Sequence, residues 1–221
     1  MGRIVGGAVT DIKEVPYQVG LVVTLLWILT SVCGGSLISE THALTAAHCY
    51  WDGSLTATSF TVVLGSNTLF SGGQRITTTD VTMHPQWNPQ LADNDIAIIR
   101  MQPVTYNGIN ILPISVLNSV SESTSKISDE LKYTYYLDII SNADCMAVYG
   151  PDFVRDTNLC TSGAGGKSTC GGDSGGPLVV DIDGKKIQVG VTSYGHRDGC
   201  QLNYPAGFAR VTSFVDWILS Q

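Results

Sequence analysis

The sequence predicts an all-β protein that ends in a single helix. Short runs of β-branched and apolar residues recur along the 221-residue chain, and turn-forming residues separate them. Helical periodicity is sustained only at the C-terminus, where Phe214, Trp217 and Ile218 share one face and Thr212 or Ser213 is the expected N-cap. Many strands with one terminal helix favour barrels or a sandwich. The expected strands are residues 17–24, 33–38, 60–64, 75–82, 96–101, 177–180, 186–194 and 205–211.

Two stretches differ from this strand pattern. Residues 19–32 form the longest apolar stretch, but Gly20 and several hydroxyl residues interrupt it, and it is too short to span a bilayer. We interpret it as a hairpin of buried strands. Residues 117–129 are polar and serine-rich, which is typical of a solvated loop, and they lie where two halves of the chain would join.

Composition indicates a folded, acidic protein. Apolar residues make up 43% of the chain and charged residues 14%, which is typical of a globular domain rather than a disordered chain. Basic residues number 12 against 19 acidic residues, so the formal net charge is −7. This balance argues against a nucleic-acid partner, which requires a basic face. No membrane partner is expected either.

Six cysteines suggest three disulfides and an oxidising compartment. A zinc site is the rival interpretation, and the absence of CxxC and HExxH spacings argues against it. The cysteine spacing by itself leaves the pairing open.

Three short motifs carry the residue types of nucleophilic catalysis. Ser174 lies in GGDSGGP at 171–177, where flanking glycines let backbone N–H groups approach a ligand. His48 lies in LTAAHC at 44–49, and histidine is the natural general base near neutral pH. Asp95 enters an apolar run, DNDIAII at 93–99, and a buried acid needs a partner such as an imidazole.

The order of these residues separates the hydrolase classes. The chain runs His48, Asp95, Ser174, whereas an α/β-hydrolase runs Ser, acid, His and a subtilisin-like enzyme runs acid, His, Ser. We assign structural roles to the other histidines, which are His42, His84 and His196.

Seven segments in this order resemble the chymotrypsin/trypsin family of serine peptidases. The sequence as a whole is most similar to insect digestive chymotrypsin-like enzymes. They are IVGG at 4–7, CGGSLI at 33–38, TAAHC at 45–49, DIA at 95–97, GDSGGP at 172–177, VTSYG at 191–195 and GFARV at 207–211. The resemblance implies two six-stranded antiparallel Greek-key barrels followed by a C-terminal helix. Residues 1–3 would be a residual activation segment and 4–221 the peptidase domain, with barrels at about 4–112 and about 113–221.

The resemblance also implies a serine endopeptidase mechanism. Ser174 would attack the scissile carbonyl, His48 would transfer protons, and Asp95 would orient the imidazole. The backbone N–H groups of Gly172 and Ser174 would form the oxyanion hole.

The family's substrate pocket maps onto Ser168 at its base and onto walls at Ser193, Tyr194, Gly195 and Ala206. Because Ser168 is not an acid, nothing there would pair a Lys or Arg side chain, and we expect cleavage after Phe, Tyr, Leu or Met. The methyl group of Ala206 is expected to trim the pocket and favour Leu or Met over Trp.

By family pattern the disulfides would be Cys33–Cys49, Cys145–Cys160 and Cys170–Cys200. No cofactor is expected. The family's calcium loop would fall near 65–74, but that stretch holds no acid, so no metal is expected.

Cleavage after Arg3 would activate such a chain, because the new Ile4 ammonium would pair with Asp173 and order the site. The chain as written is therefore expected to be zymogen-like, with its signal peptide removed, replaced or missing from the gene model. The implied partners are protein substrates, protein protease inhibitors and an activating protease. The implied enzyme is a secreted, extracellular monomer, digestive in the gut lumen.

The chain also departs from the family after Ile114. No Gly-Trp-Gly strand appears before Ser174, and the interval from Asp95 to Ser174 is shorter than the family leads us to expect. A strand of the second barrel would then be missing, through a natural variant, a faulty gene model or replacement by another segment. A catalytically inactive protease-like binding or regulatory protein, or a truncated variant, is the alternative function.

Overall fold

A computed structural model describes residues 11–116 and 137–221, and the structural statements that follow concern these residues. Within them, thirteen strands form two sheets, accompanied by two short α-helices. The elements are β1 Gln18–Leu25, β2 Leu29–Leu37, β3 His42–Thr45, β4 Ala57–Leu64, β5 Gln74–Thr78, β6 Val81–Met83, β7 Ala97–Arg100, β8 Ser115–Val116, β9 Ile139–Ile140, α1 Asn142–Tyr149, β10 Asn158–Thr161, β11 Pro177–Ile182, β12 Lys185–Tyr194, β13 Ala206–Arg210 and α2 Val215–Leu219.

The first sheet curls back on itself. Its seven strands run in the order β5-β4-β1-β2-β3-β7-β6, and the two edge strands are separated in the chain only by Thr79 and Asp80. The expected strand 75–82 is therefore interrupted, and at the break the N–H of Arg100 donates to the Asp80 carbonyl over 2.9 Å. This interruption gives seven strands where the resemblance implies six.

The second sheet has six strands among the described residues, in the order β11-β12-β13-β10-β9 with β8 beside β12. All of its pairs are antiparallel except β8 with β12, which is parallel where the resemblance implies antiparallel pairing. Residues 117–136 lie outside the described residues. The predicted polar loop at 117–129 lies among them, and so does the region where a strand is expected to be missing.

The main core lies inside the first sheet and extends to the C-terminal helix. Val19, Leu21 and Val23 alternate along β1 and are almost fully buried, as expected for a strand with one face on a core. Phe214 and Ile218 join the same cluster from the C-terminal segment. Burial of these side chains, rather than local helix propensity, therefore fixes a helix of only five residues.

Two expectations about the ends of elements are wrong. Helix α2 is preceded by a 3₁₀ turn at Val211–Ser213 and begins after Phe214, so neither Thr212 nor Ser213 is its N-cap. The hairpin 19–32 forms as β1 and β2, but its tip is exposed rather than buried, because the strands extend beyond the core at that end.

The sequence patterns missed β3, β8, β10 and α1. Helix α1 begins at an N-cap, Ser141, whose Oγ accepts a hydrogen bond from the Asp144 N–H over 3.1 Å. Its only buried residue is Cys145, so no apolar stripe marks the helix in the sequence. Within the described residues, no helix is long and apolar enough to cross a membrane.

Candidate active site

Strand pairing in the first sheet brings His48 and Asp95 together. Strands β3 and β7 are antiparallel with Thr45 opposite Ala97, so the residues just after β3 and just before β7 lie at the same end of the pair. His48 follows β3 in a 3₁₀ turn, and Asp95 precedes β7. The site therefore depends on the register of two strands that are about fifty residues apart in the chain.

Asp95 accepts two hydrogen bonds from His48. The His48 N–H donates to Oδ1 over 2.9 Å, and Nδ1 lies 2.7 Å from Oδ2. The carboxylate side chain is only 1% exposed, whereas the His48 side chain is 24% exposed. With Nδ1 held by the carboxylate, the Nε2 side of the imidazole is left to face other groups.

Ser193 supplies a third hydrogen bond to the same carboxylate. Its Oγ donates to Oδ2 of Asp95 over 2.5 Å, from the end of β12 in the second sheet. The resemblance implies a place for Ser193 in the wall of a substrate pocket, and its contact with Asp95 joins residues 98 positions apart. No local sequence signal identifies that contact.

The pKa of His48 is raised above its ordinary value of 6.5 by the balance of two effects. Burial lowers the pKa because it disfavours the charged imidazolium. The negative charge of Asp95, its hydrogen bond and the charge of Asp52 together raise the pKa by more. The arrangement therefore stabilises a proton on His48, as a general base requires after it has accepted one.

Ser174 lies in a loop that is attached to both sheets. Its carbonyl accepts a hydrogen bond from the N–H of Gly34 in β2 over 2.7 Å. On the other side, the Gly175 N–H donates to the Thr192 carbonyl over 2.8 Å, and the Thr192 N–H donates to Gly176 over 2.9 Å. The loop is thus fixed between β2 and β12.

Gly175 has a conformation and a packing that admit no side chain. Its φ is +79°, in the region that favours glycine. A Cβ there would lie 2.2 Å from Thr45 Oγ1 and 2.6 Å from the Gly34 carbonyl oxygen. The loop that carries Ser174 therefore packs directly against β2 and β3, with no room there for a side chain.

The backbone N–H groups around Ser174 fall into two sets. Those of Asp173, Gly175 and Gly176 donate to carbonyl oxygens. Those of Gly172 and Ser174 donate to no group in the described part of the chain. Gly172, with φ +95°, and Ser174 both line a groove that also contains His48.

The Ser174 hydroxyl has no hydrogen-bond partner among the residues that the structure describes. It lies with His48 in the wall of one groove without a direct hydrogen bond between the two side chains. Catalytic hydrogen bonds are often long without substrate and shorten when a complex forms.

The expected pocket residues lie on two faces of the second sheet. Ser168 is buried, and Ala206 is fully buried in an apolar cluster with Leu159 and Phe208. The ring of Tyr194 covers the opposite face of β13, because a Cβ built on Gly207 would lie 2.1 Å from the ring. The Tyr194 ring and the Ala206 side chain therefore lie on opposite faces of β13. Only backbone atoms of Tyr194 can line the same pocket as Ala206. Gly195 is exposed.

Tyr194 belongs to an aromatic group beside the site. Its ring meets Phe153 edge-on at 4.8 Å and Tyr149 at 5.2 Å between centroids. Burial raises the pKa of Tyr149 to about 12, and it raises that of Tyr194 as well. Both phenols therefore stay neutral at physiological pH, and their role here is packing.

The six cysteines form three disulfides, Cys33–Cys49, Cys145–Cys160 and Cys170–Cys200. These are the pairs that the resemblance implies. In the described part of the chain, the single cluster of ligand-type side chains close enough to hold a metal is Cys33, His48 and Cys49. Both sulfurs are in a disulfide and offer no thiolate, so these residues do not suit a metal ion.

Of the three expected activation residues, the structure describes only Asp173. Arg3 and Ile4 lie outside the described residues. Asp173 Oδ2 accepts a hydrogen bond from the Cys170 N–H over 2.8 Å.

The other histidines lie in packed surroundings. His84 meets Phe214 and Trp217 edge-on, and His196 stacks on Tyr204 at 3.6 Å between centroids. Nδ1 of His42 contacts the hydroxyl groups of two neighbouring residues.

Comparison with known proteins identifies the family. The Trypsin family model matches residues 4–218. Brachyurin of Leptuca pugilator is 40% identical over 236 residues, covering 99% of this chain and 98% of the relative, and collagenase of Hypoderma lineatum is 37% identical, covering 98% and 86%. A solved structure of HL collagenase superposes with a TM-score of 0.84 at 34% identity, covering 98% of this chain and 97% of that one.

The match to brachyurin extends over more positions than the 221 residues of this chain, so the alignment contains gaps in this chain. Such gaps agree with the short interval before Ser174. The family match spans nearly the whole chain, and this chain belongs to the trypsin family of serine proteases.

Proposed function

We propose that the chain is a secreted, digestive endopeptidase that cuts peptide bonds after apolar or aromatic residues through His48, Asp95 and Ser174. One observation carries the proposal. A buried carboxylate accepts two hydrogen bonds from a histidine that lines the same groove as a serine in a glycine-rich loop. This set of groups performs acyl transfer.

In the proposed mechanism, substrate binding brings the Ser174 hydroxyl to Nε2 of His48. Neutral His48 accepts the hydroxyl proton as Ser174 Oγ attacks the scissile carbonyl. Asp95 holds Nδ1–H and stabilises the imidazolium that forms. The imidazolium then gives its proton to the leaving amine, and water repeats the sequence on the acyl-enzyme.

The proposed oxyanion hole consists of the N–H groups of Gly172 and Ser174. Their lack of partners in the described part of the chain supports this role, because the neighbouring N–H groups are already used. Removing one such donor from a related site costs about 10²–10³-fold in kcat.

The proposed preference for Phe, Tyr, Leu or Met depends on Ser168. A neutral, buried hydroxyl at the base of the pocket gives a substrate Lys or Arg no counter-charge, and an unpaired buried cation is unfavourable. We also propose that the methyl group of Ala206 limits the depth of this pocket. Trp substrates are then expected to be cleaved more slowly than Leu substrates.

The remaining parts of the proposal follow from family membership. The enzyme would be a monomer formed by barrels at about 4–112 and about 113–221, secreted and active in the gut lumen. Another protease would cut after Arg3, the Ile4 ammonium would pair with Asp173, and protein protease inhibitors would bind the groove. Three disulfides agree with an oxidising compartment.

The decisive experiment is hydrolysis of a Phe peptide anilide after controlled cleavage between Arg3 and Ile4. Activity is expected to appear after the cut and to vanish in Ser174→Ala. An Arg3→Gln variant, which resists this cut, is the matched control and is expected to stay inactive.

The alternative is a protease-like binding or regulatory protein without catalysis. The observation that favours it is the short interval before Ser174, within which the family leads us to expect a further strand. A folded protein with a free Ile4 terminus that neither hydrolyses the anilide nor reacts with a fluorophosphonate would support this alternative.

A further inference from the structure

The tip of the β1–β2 hairpin exposes a group of large apolar side chains. Trp27 is 80% exposed and Ile28 84% exposed, and Leu26 and Leu29 are about half exposed. No charged residue occurs anywhere from 15 to 39. A contiguous apolar surface of this kind is uncommon on a soluble protein and marks a binding surface. We call these four residues the apolar tip.

The backbone of the apolar tip is unfavourable for the residues that form it. Leu26 and Trp27 have φ of +49° and +67°, and the Ile28 N–H donates to the Leu25 carbonyl over 3.1 Å. Turns with two consecutive positive φ values prefer Asn and Gly. The side chains at the apolar tip are thus not explained by the turn, which points to a role for the side chains themselves.

The groove beside Ser174 extends along the hairpin to the base of the apolar tip. The groove starts at His48, Gly172 and Ser174 and follows both strands of the hairpin towards the tip. Its further lining is Val23, Leu25, Ser31, Val32, Cys33, Cys49, Tyr50, Asp52 and Leu55.

This groove lies on the leaving-group side of the scissile bond. It contains none of the residues proposed to hold the acyl side, which are Ser168, Ser193, Tyr194, Gly195 and Ala206. A peptide bound across Ser174 has its acyl side in that pocket, so the groove beside His48 receives the residues beyond the cut.

In the described part of the chain, one edge of β2 is unpaired along this groove. Strand β2 pairs there with β1 throughout but with β3 only at Ser36 and Leu37. Gly34 directs its N–H to Ser174 and its carbonyl to Thr45, away from β1. Alternate positions such as Val32 face the same side, which suits pairing with an extended peptide.

The length of the β2 edge between Cys33 and the apolar tip determines which substrate residue lies beside the tip. Cys33 and Leu29 are four residues apart in β2, which corresponds to about 13 Å in an extended strand. An extended substrate covers the same distance with about four residues. The apolar tip therefore lies beside the third or fourth residue after the scissile bond.

We propose that the apolar tip is a substrate-binding surface that selects apolar side chains at the third and fourth residues after the scissile bond. The inference rests on the proposed endopeptidase function. It assigns to Trp27 and Ile28 a role in specificity and none in the chemical steps.

The test compares two internally quenched peptides with the same acyl side. One carries Leu-Phe and the other Ser-Asp at the third and fourth positions after the cut, and the Phe anilide, which has no residues there, is the reference substrate. For the activated enzyme, kcat/KM is expected to be about tenfold higher for the Leu-Phe peptide. Trp27→Ser and Ile28→Ser are expected to lower the ratio of Leu-Phe peptide to anilide hydrolysis several-fold.

Leu219→Ser is the matched control, because Leu219 is 63% exposed at the end of α2, away from the groove lining. It is expected to keep the tenfold preference. Normal anilide hydrolysis without any preference between the two peptides would overturn the inference and leave the proposed function standing.

Absence of anilide hydrolysis would instead refute the proposed function. The inference is then tested by binding, with fluorescence anisotropy of the two labelled peptides on Ser174→Ala, where about tenfold tighter binding of the Leu-Phe peptide is expected. A concentration-dependent dimer that Trp27→Ser dissociates would overturn the inference, because the apolar tip would then bind a second copy of the chain.

Discussion

Replacing Ser193 with alanine removes one of the three hydrogen bonds on the Asp95 carboxylate. The carboxylate is 1% exposed, so solvent does not replace the lost donor. A hydrogen bond to a charged group contributes about 1.5–3 kcal/mol, and the free energy of unfolding is expected to fall by about 2 kcal/mol. For a domain of this size, Tm is then expected to fall by about 4–8 °C.

The measurement is thermal and urea unfolding in the Ser174→Ala background, which prevents self-digestion. Thr161→Val is the matched control, because the buried Thr161 hydroxyl has no hydrogen-bond partner among the described residues. Its replacement is expected to be neutral or stabilising. A loss below about 0.5 kcal/mol in Ser193→Ala, within the range of ordinary surface substitutions, would refute the reasoning. An equal loss in Thr161→Val would do the same.

Three further predictions concern the chemistry. Asp95→Asn is expected to lower kcat for a Phe anilide by about 10⁴-fold, because an amide favours the wrong tautomer of His48. The profile of kcat/KM against pH is expected to rise with a midpoint above 6.5, since burial lowers the pKa of His48 but Asp95 and Asp52 together raise it by more, and only the neutral imidazole accepts a proton. Ser168→Asp is expected to change the preferred substrate from a Phe to a Lys or Arg anilide, because the new carboxylate pairs with a cation.

Each of these predictions has a contrary outcome. Residual kcat within about tenfold of the wild type in Asp95→Asn would mean that the carboxylate does not orient His48. A midpoint below 6.5 would mean that burial outweighs the combined effect of Asp95 and Asp52. Unchanged preference in Ser168→Asp, with Ser168→Ala as the matched control, would place the base of the pocket elsewhere.

Much of the fold follows from local patterns in the sequence. β1, β4, β11 and β12 are long runs of apolar and β-branched residues between turn residues, and each observed strand overlaps the expected run. β3 and β10 are four-residue strands without alternation, and β8 and β9 contain two residues each. Tertiary pairing, rather than local preference, determines such short strands.

In the candidate site too, some residues can be recognised from local motifs, whereas other contacts depend on tertiary packing. His48, Asp95 and Ser174 are recognisable because each lies in a distinctive short motif and the three occur in one order. The hydrogen bond from Ser193 to Asp95 is invisible in the sequence, since it depends on how the second sheet packs on the first. The exposure of Trp27 is equally hidden, because hydropathy reports a preference for burial but not where a hairpin passes beyond its core.

The hydrogen bond between Gly34 and the Ser174 carbonyl has a consequence for the order in which the candidate site can assemble. His48 and Asp95 come from the early half of the chain, while the serine and its support in β12 come last. A chain with only its first half folded therefore holds His48 and Asp95 but lacks Ser174. The groove is completed only when the second sheet packs on the first, so assembly of the candidate site requires nearly the whole chain.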